Sequence, residues 1–177
     1  MRIIAGSLGG RNFDAPNGHK THPMSDKARG GLFNALGDIQ GLSVLDPFAG
    51  SGALSFEALS RGGKYATLIE SDRNAQATID KNIKELKLWG KTKAIKAAAG
   101  AWSETSQDEM FDLVLCDPPY DKLQLELIQK LVGHVKEHGL LVLSWPGRNE
   151  LPDFPDLARL KVQDYNDIQL GFYRRES

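Results

Sequence analysis

The sequence predicts an α/β fold built on one doubly wound, mainly parallel sheet. Three observations carry that prediction. Short apolar runs alternate with helical patterns along the chain; two of these runs, FDLVLC at 111–116 and GLLVLS at 139–144, read as buried strands; and the last two extended runs, Arg159–Tyr165 and Ile168–Arg174, are separated only by Asn166-Asp167. Alternating strands and helices give a layered sheet, and near-continuous apolar strands are buried on both faces, as central parallel strands are. A two-residue connection leaves no room for a crossover helix, so the terminal pair is antiparallel.

The elements follow in order. Arg2–Ala5 and Arg11–Phe13 read as two extended pieces of an N-terminal hairpin around Gly6-Ser7-Leu8-Gly9-Gly10. Asn17–Pro23 is a polar connector holding His19, Lys20 and His22. Ser25 is a helix N-cap with Asp26 in the first turn, and the helix runs to about Ile39 with Ala28, Leu32, Phe33 and Leu36 on one face. Its central Gly30-Gly31 costs ~1–2 kcal/mol against alanine, so the helix depends on packing. Ser43–Leu45 is a strand ending at Asp46, and a helix with Leu54, Ala58 and Leu59 on one face follows the turn at 47–52. Tyr65–Ile69 is a strand ending at Glu70; Asp72 caps a helix over Arg73–Leu88; Lys93–Ala98 is a third strand. A helix over Lys122–Lys136 separates the two buried runs.

With 177 residues the chain is long enough for one domain with a sizeable core and short for two. No apolar run approaches ~18 residues, and MRIIAGSLGG lacks a secretory apolar segment, so no membrane span is expected. The single cysteine, Cys116, excludes an internal disulfide and a cysteine metal cluster, and a reducing cytoplasm is expected. Four scattered histidines have no ligand spacing, so no metal is expected. The net charge of −1 is unevenly spread: residues 1–36 carry five basic groups against Asp14 and Asp26. A modestly basic arm on an acidic body can touch phosphates, and a solvated surface explains the same excess equally well.

The chain is organised around Ser43–Gly62, SVLDPFAGSGALSFEALSRG. A strand feeding a glycine-rich turn and a helix N-terminus places free N–H groups at the carboxyl edge of a sheet, a nucleotide-sized site. A dinucleotide fold would want G-x-G-x-x-G, but Ser55 stands where the third glycine belongs. The same stretch, D-P-F-A-G-S-G, resembles motif I of the amino-group methyltransferases, which bind S-adenosyl-L-methionine. A glycine-rich turn with no ligand is the third reading, and the turn alone does not decide among them. Glu70, some eighteen positions past Gly52 at the end of the second strand, suits a ribose diol offering two hydroxyl donors.

Asp117-Pro118-Pro119-Tyr120, at the end of a buried strand, is the most specific signal. Taken alone it could be only a rigid turn; downstream of the glycine loop and Glu70 it resembles the motif of enzymes that methylate exocyclic amino groups of bases. An arylamine lone pair is delocalised into its ring and attacks poorly. A carboxylate (Asp117) and a backbone carbonyl (Pro118) can accept from the NH2 group, orient it and stabilise its growing positive charge. Pro118 and Pro119 stiffen the turn, and Tyr120 offers a flat face on which a displaced base stacks. Trp102 and Trp145 lie near strand ends and are read as packing residues.

Over its whole length the chain resembles the bacterial RsmD family, the 16S ribosomal RNA guanine-N2 methyltransferases. The residues concerned are Arg2–Gly6, Gly10-Arg11, Pro23, Ser25-Asp26, Arg29, Leu32-Phe33-Asn34, Asp46–Gly52, Glu-Ala-Leu-Ser-Arg at 57–61, Glu70 and Asp117–Tyr120. The resemblance implies a class I (Rossmann-like) three-layer α/β/α methyltransferase fold, with a seven-stranded sheet whose last strand is antiparallel and an N-terminal hairpin and helix. It implies an extension at 1–39 packed on a catalytic unit at 40–177. It also implies catalysis by Asp117, Pro118, Pro119 and Tyr120, and an S-adenosylmethionine site of Asp46, Pro47, Phe48, Ala49, Gly50, Ser51, Gly52, Glu70, Ser71 and Ala98. Arg2, Arg11, Lys27 and Arg29 are the expected phosphate contacts, and the expected partner of this monomer is 16S ribosomal RNA or the assembling small subunit. Four positions depart from the family pattern. Gly9-Gly10-Arg11 stands where the family reads R-G-R, His22-Pro23-Met24 where it reads R-P-T and Arg29-Gly30 where it reads R-E, and Ala97–Ala99 offers no side-chain acceptor for an adenine amino group. Two alternatives stand beside this reading. An N6-adenine or N4-cytosine DNA methyltransferase shares D-P-P-Y, although 177 residues leave no room for a separate DNA-recognition domain. A non-catalytic RNA-binding or assembly factor on the same fold is opposed by the intact Asp46, Glu70 and Asp117.

Overall fold

A computed structural model describes residues 1–18 and 23–177; His19, Lys20 and His22 of the expected connector, and the departure at His22, lie outside the described residues. Seven strands form one sheet: β1 (Ser43–Asp46), β2 (Tyr65–Glu70), β3 (Thr92–Lys96), β4 (Phe111–Cys116), β5 (Val135–Pro146), β6 (Leu157–Tyr165) and β7 (Ile168–Arg175). Their spatial order is β3-β2-β1-β4-β5-β7-β6. The first five run parallel; β7 enters antiparallel between β5 and β6. The order reverses between β1 and β4, which opens a crevice at their carboxyl ends.

The helices are α1 (Asp26–Leu36), α2 (Ala53–Ser60), α3 (Arg73–Glu85), α4 (Ala99–Thr105) and α5 (Leu125–Val132). Alternate strand residues face opposite layers. Val44, Leu68, Leu113, Leu115 and Phe172 join α1, α2 and α3 in one core. Leu45, Ile69, Val114, Cys116 and Leu143 join α4 and α5 in the other, where Trp102 and Trp145 also pack. No helix among the described residues is long and apolar enough to cross a membrane.

Several boundaries differ from expectation for identifiable reasons. The first helix starts as read, with Ser25 Oγ accepting from the Ala28 N–H at 3.1 Å. It stops at Leu36 rather than Ile39 because Gly37 turns out at φ 72° and donates back to the Phe33 carbonyl. Gly31 is tolerated in it because a Cβ there would collide with the Tyr165 hydroxyl. The helix expected over Lys122–Lys136 is only α5: from Val135 the chain already pairs with Phe111, and β5 bends at His138 (φ 64°) before Gly139–Ser144. The third strand ends at Lys96, and the sequence reading assigned no element to the seven-residue α4, too short to show a period. The N-terminal hairpin has a single bridge, Arg2 to Asn12, supported by Ile3, Gly10 and Phe13 backbone bonds.

What fixes this thin hairpin is a buried carboxylate. Glu57, on α2, is fully buried, and it accepts from the Ile4 N–H at 2.9 Å, the Ala5 N–H at 3.1 Å and Arg61 Nε at 2.8 Å. Arg29 Nε pairs with it at 3.5 Å, and Arg29 Nη2 donates to the Arg2 carbonyl at 2.6 Å. This corrects the expected role of Arg29. At 1% exposure it is an internal tie between α1, α2 and the arm, whereas Arg2, Arg11 and Lys27 are exposed. Removing one partner from a buried pair strands the other charge, at a cost of ~3–5 kcal/mol. Arg29→Gln should therefore lose about 3 kcal/mol in urea denaturation, whereas Lys27→Gln should stay within about 0.5 kcal/mol of the parent.

Candidate active site

The crevice at the switch point is a cleft of about 1480 Å³. Its floor is the turn between β1 and α2. Gly50 (φ 57°) and Gly52 (φ 86°) hold left-handed conformations that other residues resist, and a Cβ on Gly52 would run into the Phe56 ring. Beyond Gly50 the space is open, so a ligand can approach the bare backbone. Glu70, at the end of β2, holds the turn in shape: Oε1 accepts from the Gly50 N–H and Oε2 from the Asp72 N–H, both at 2.8 Å. Each oxygen keeps further lone-pair capacity for a donor.

Beneath the turn lies Asp46, 1% exposed. Its Oδ2 accepts from Ser55 Oγ at 2.7 Å, and its Oδ1 has no partner among the described residues. Burial pushes its pKa up to about 7; Ser55 holds it back, and the charges of Asp117 and Glu70 add to the rise. A buried carboxylate oxygen without a donor, beside two further acids, is suited to a cationic ligand.

Across the cleft, β4 ends at Cys116 and delivers Asp117-Pro118-Pro119-Tyr120 to its rim. Burial raises the Asp117 pKa to about 6, partly offset by the Ser144 hydroxyl at the end of the neighbouring β5. Pro118 is buried, and Tyr120 stands 36% exposed with its hydroxyl hydrogen-bonded to Ser144 Oγ. Its ring is thus anchored at one end.

Of the residues singled out in the sequence, Pro47, Phe48, Ala49, Gly50, Ser51, Glu70, Ser71, Ala98 and Asp117 through Tyr120 line this one cleft. Asp46 and Gly52 sit behind its wall. Ala97–Ala99 borders it with no side-chain acceptor, as the sequence implied. Trp102 and Trp145 do not reach it; Trp145 Nε1 instead donates to the Glu150 carbonyl at 3.1 Å. Sequence reasoning missed Ser55 and Ser144, the hydroxyls that hold Asp46 and Tyr120. Ser144 was visible only as the polar end of a buried strand. Also missed was the far wall, where the β6–β7 turn at Tyr165–Ile168 faces Ala15–Asn17 and Met24 of the arm region.

Fold and site together define a class I S-adenosylmethionine-dependent methyltransferase. The residues fit that cofactor, since a glycine cradle and an acidic strand end line one cleft and the buried carboxylate of Asp46 lies behind its wall. The family model described as conserved hypothetical protein 95 matches residues 1–174, and the chain belongs to that family, the RsmD-type methyltransferases. It is 34% identical over 184 residues to ribosomal RNA small subunit methyltransferase D of Escherichia coli, covering 100% of this chain and 91% of that protein. It is 31% identical over 182 residues to YlbH of Bacillus subtilis, described as a candidate rRNA methyltransferase, covering 99% of each. The solved structure of the Escherichia coli methyltransferase candidate yhhF superposes with a TM-score of 0.88 at 33% identity, covering 99% of this chain and 98% of that one.

The raised acid gives a measurable signature. Asp46 is protonated in both folded and unfolded chains below pH ~4; above that the unfolded chain ionises first, so wild-type stability falls until the folded group ionises near 7. A shift of about three pKa units is ~4 kcal/mol. Asp46→Asn keeps an acceptor for Ser55 and removes the titration. Its melting temperature should match the wild type near pH 4 and exceed it increasingly towards pH 8, in scanning calorimetry across that range.

Proposed function

We propose that this protein transfers a methyl group from S-adenosylmethionine to the exocyclic N2 amino group of a guanine in 16S ribosomal RNA, free or in the assembling small subunit, in the cytoplasm. The observation that carries it is the convergence of Asp117-Pro118-Pro119-Tyr120 and the glycine turn on a single cleft. Kinship with a ribosomal RNA small subunit methyltransferase over the whole chain supports the substrate class. In this reading residues 1–39 form a substrate-side extension of the catalytic unit.

The bound cofactor supplies an activated methyl group on a sulfonium. Glu70 would accept from its ribose hydroxyls, and the Asp46 carboxylate behind the wall would attract its positive charge. Asp117 and the Pro118 carbonyl each accept one N–H of the guanine amino group. They turn its lone pair towards the methyl and stabilise the positive charge as the nitrogen becomes tetrahedral. With a pKa of about 6, Asp117 is ionised at neutral pH and accepts in that form. No strong general base is required, because an alkylated arylamine is acidic and gives its proton to solvent. Tyr120 holds the extruded base by its ring face, with Ser144 fixing the ring.

The direct test is transfer from tritiated S-adenosylmethionine to 16S RNA, small subunits and DNA, followed by nucleoside analysis. N2-methylguanosine from ribosomal RNA is the expected product, and label in N6-methyladenine or N4-methylcytosine of DNA would overturn the reading. Asp117→Ala should reduce kcat by about 10²–10³ with RNA binding retained. Tyr120→Ala should lose base positioning and activity, while Tyr120→Phe, which loses only the Ser144 bond, should stay within about tenfold. Equal damage from both Tyr120 variants would make the hydroxyl the working group. Glu70→Ala should weaken S-adenosylmethionine binding ~10–100-fold in calorimetry, since a charge-assisted bond and the turn's latch are lost together.

A further inference from the structure

The cleft that would receive the guanine is poorly suited to hold the RNA backbone. Among the described residues its acidic lining is Glu70, Asp72, Asp117, Asp121, Glu126 and Asp167, against Arg29, Lys130 and the Met1 amino group. These acids repel phosphates, which favours RNA-binding cations on another face of the described residues.

The opposite edge of the sheet, where β2 and β3 begin, has the reverse character. A second pocket of about 590 Å³ lies there, lined by Gly6, Ser7, Gln40, Gly41, Leu59–Lys64 and Lys91; its charged lining is Arg61, Lys64 and Lys91, with no acidic side chain. Arg61 is pre-positioned: Nε is held by Glu57 at 2.8 Å, Nη1 by Asn34 at 3.1 Å, and its guanidinium stands 5.4 Å above the Phe33 ring. Nη2 has no hydrogen-bond partner among the described residues. Lys64 and Lys91 are exposed and take part in no ion pair among the described residues. Beside them stand two aromatic faces. Trp89, in the 3-10 turn with Lys91, is 65% exposed, and Tyr65 is 37% exposed with its hydroxyl donating to the Thr92 carbonyl at 3.3 Å. The stretch Lys84–Lys93 carries four lysines and one glutamate, and Arg11 of the arm reaches it, Nη2 lying 3.3 Å from the Glu85 carbonyl. Cations in a concave pocket with adjoining exposed aromatic rings are what a single-stranded nucleic acid needs: phosphates for the first, an unpaired base for the second.

We infer that this amino edge is a second RNA-contact surface, with a phosphate seated between Arg61, Lys64 and Lys91 and an unpaired base stacked on Trp89. The inference rests on the ribosomal RNA reading above and deepens it. A strand of six residues spans about 20 Å, so the two contacts lie at least that far apart. The surface therefore selects a folded RNA that reaches around the molecule, and a short oligonucleotide holding only the target loop does not engage it.

The test compares deproteinised 16S RNA, small subunits and a short target-loop oligonucleotide, using wild type, Lys64→Gln/Lys91→Gln and Trp89→Ala. With 16S RNA, the double variant should bind at least tenfold more weakly, with a log–log salt slope flatter by about 1.5. Trp89→Ala should bind about 5–100-fold more weakly with the slope unchanged. Both should keep the wild-type melting temperature, S-adenosylmethionine affinity and oligonucleotide affinity. If wild type methylates ribosomal RNA while the variants keep its affinity and slope on 16S RNA, the surface inference falls and the function stands. If wild type neither binds nor methylates ribosomal RNA or subunits, the functional reading fails and takes the inference with it. Loss of affinity for subunits alone would assign the surface to a ribosomal protein and overturn the RNA contact.

Discussion

The arrangement depends on one buried charge. Glu57 sits inside α2, a helix enclosed on all sides, and its carboxylate can stay there only because two backbone N–H groups of the arm and two guanidinium groups converge on it. The dependence runs both ways. The arm forms one ladder bridge of its own and would not hold as an isolated hairpin. Anchored on Glu57, it carries Met1 and Ala15–Asn17 to the wall of the cleft. A structural ion pair thus sets the width of a chemical site.

The cleft itself is electrostatically stressed. Asp46, Asp117 and Glu70 share a small volume, and burial leaves the first two reluctant to ionise. That stress lowers stability at neutral pH and raises affinity for a positively charged ligand, whose arrival relieves the repulsion. The same acids repel phosphate. Chemistry at the carboxyl edge of the sheet and cations at its amino edge are two consequences of one charge distribution.

The hydroxyl groups set the geometry of both halves. Ser55 and Ser144 stand one behind each acid-bearing strand end, and each is buried. Ser55 also shows why the third glycine of a dinucleotide motif is absent here. A hydroxyl at that position reaches back 2.7 Å to Asp46, which a glycine could not do.

The fold class was legible in the sequence because strand burial is a local property. Phe111–Cys116 is β4 to the residue, and Asn166-Asp167 alone forces the antiparallel end. The glycine turn, Glu70 and Asp117–Tyr120 were legible as a site because their residue types carry their chemistry wherever they are placed. Boundaries set by distant partners were not. Val135–His138 has helix-compatible residues but pairs into β5, since its partner strand is 24 residues away in sequence. Arg29 read as a surface cation because charge is normally solvated; only the fold reveals that Glu57, 28 positions on, draws it inside. Sequence determined which groups are candidates for chemistry, and tertiary structure decided which charges face water, because burial is a property of the assembled chain and not of the residue.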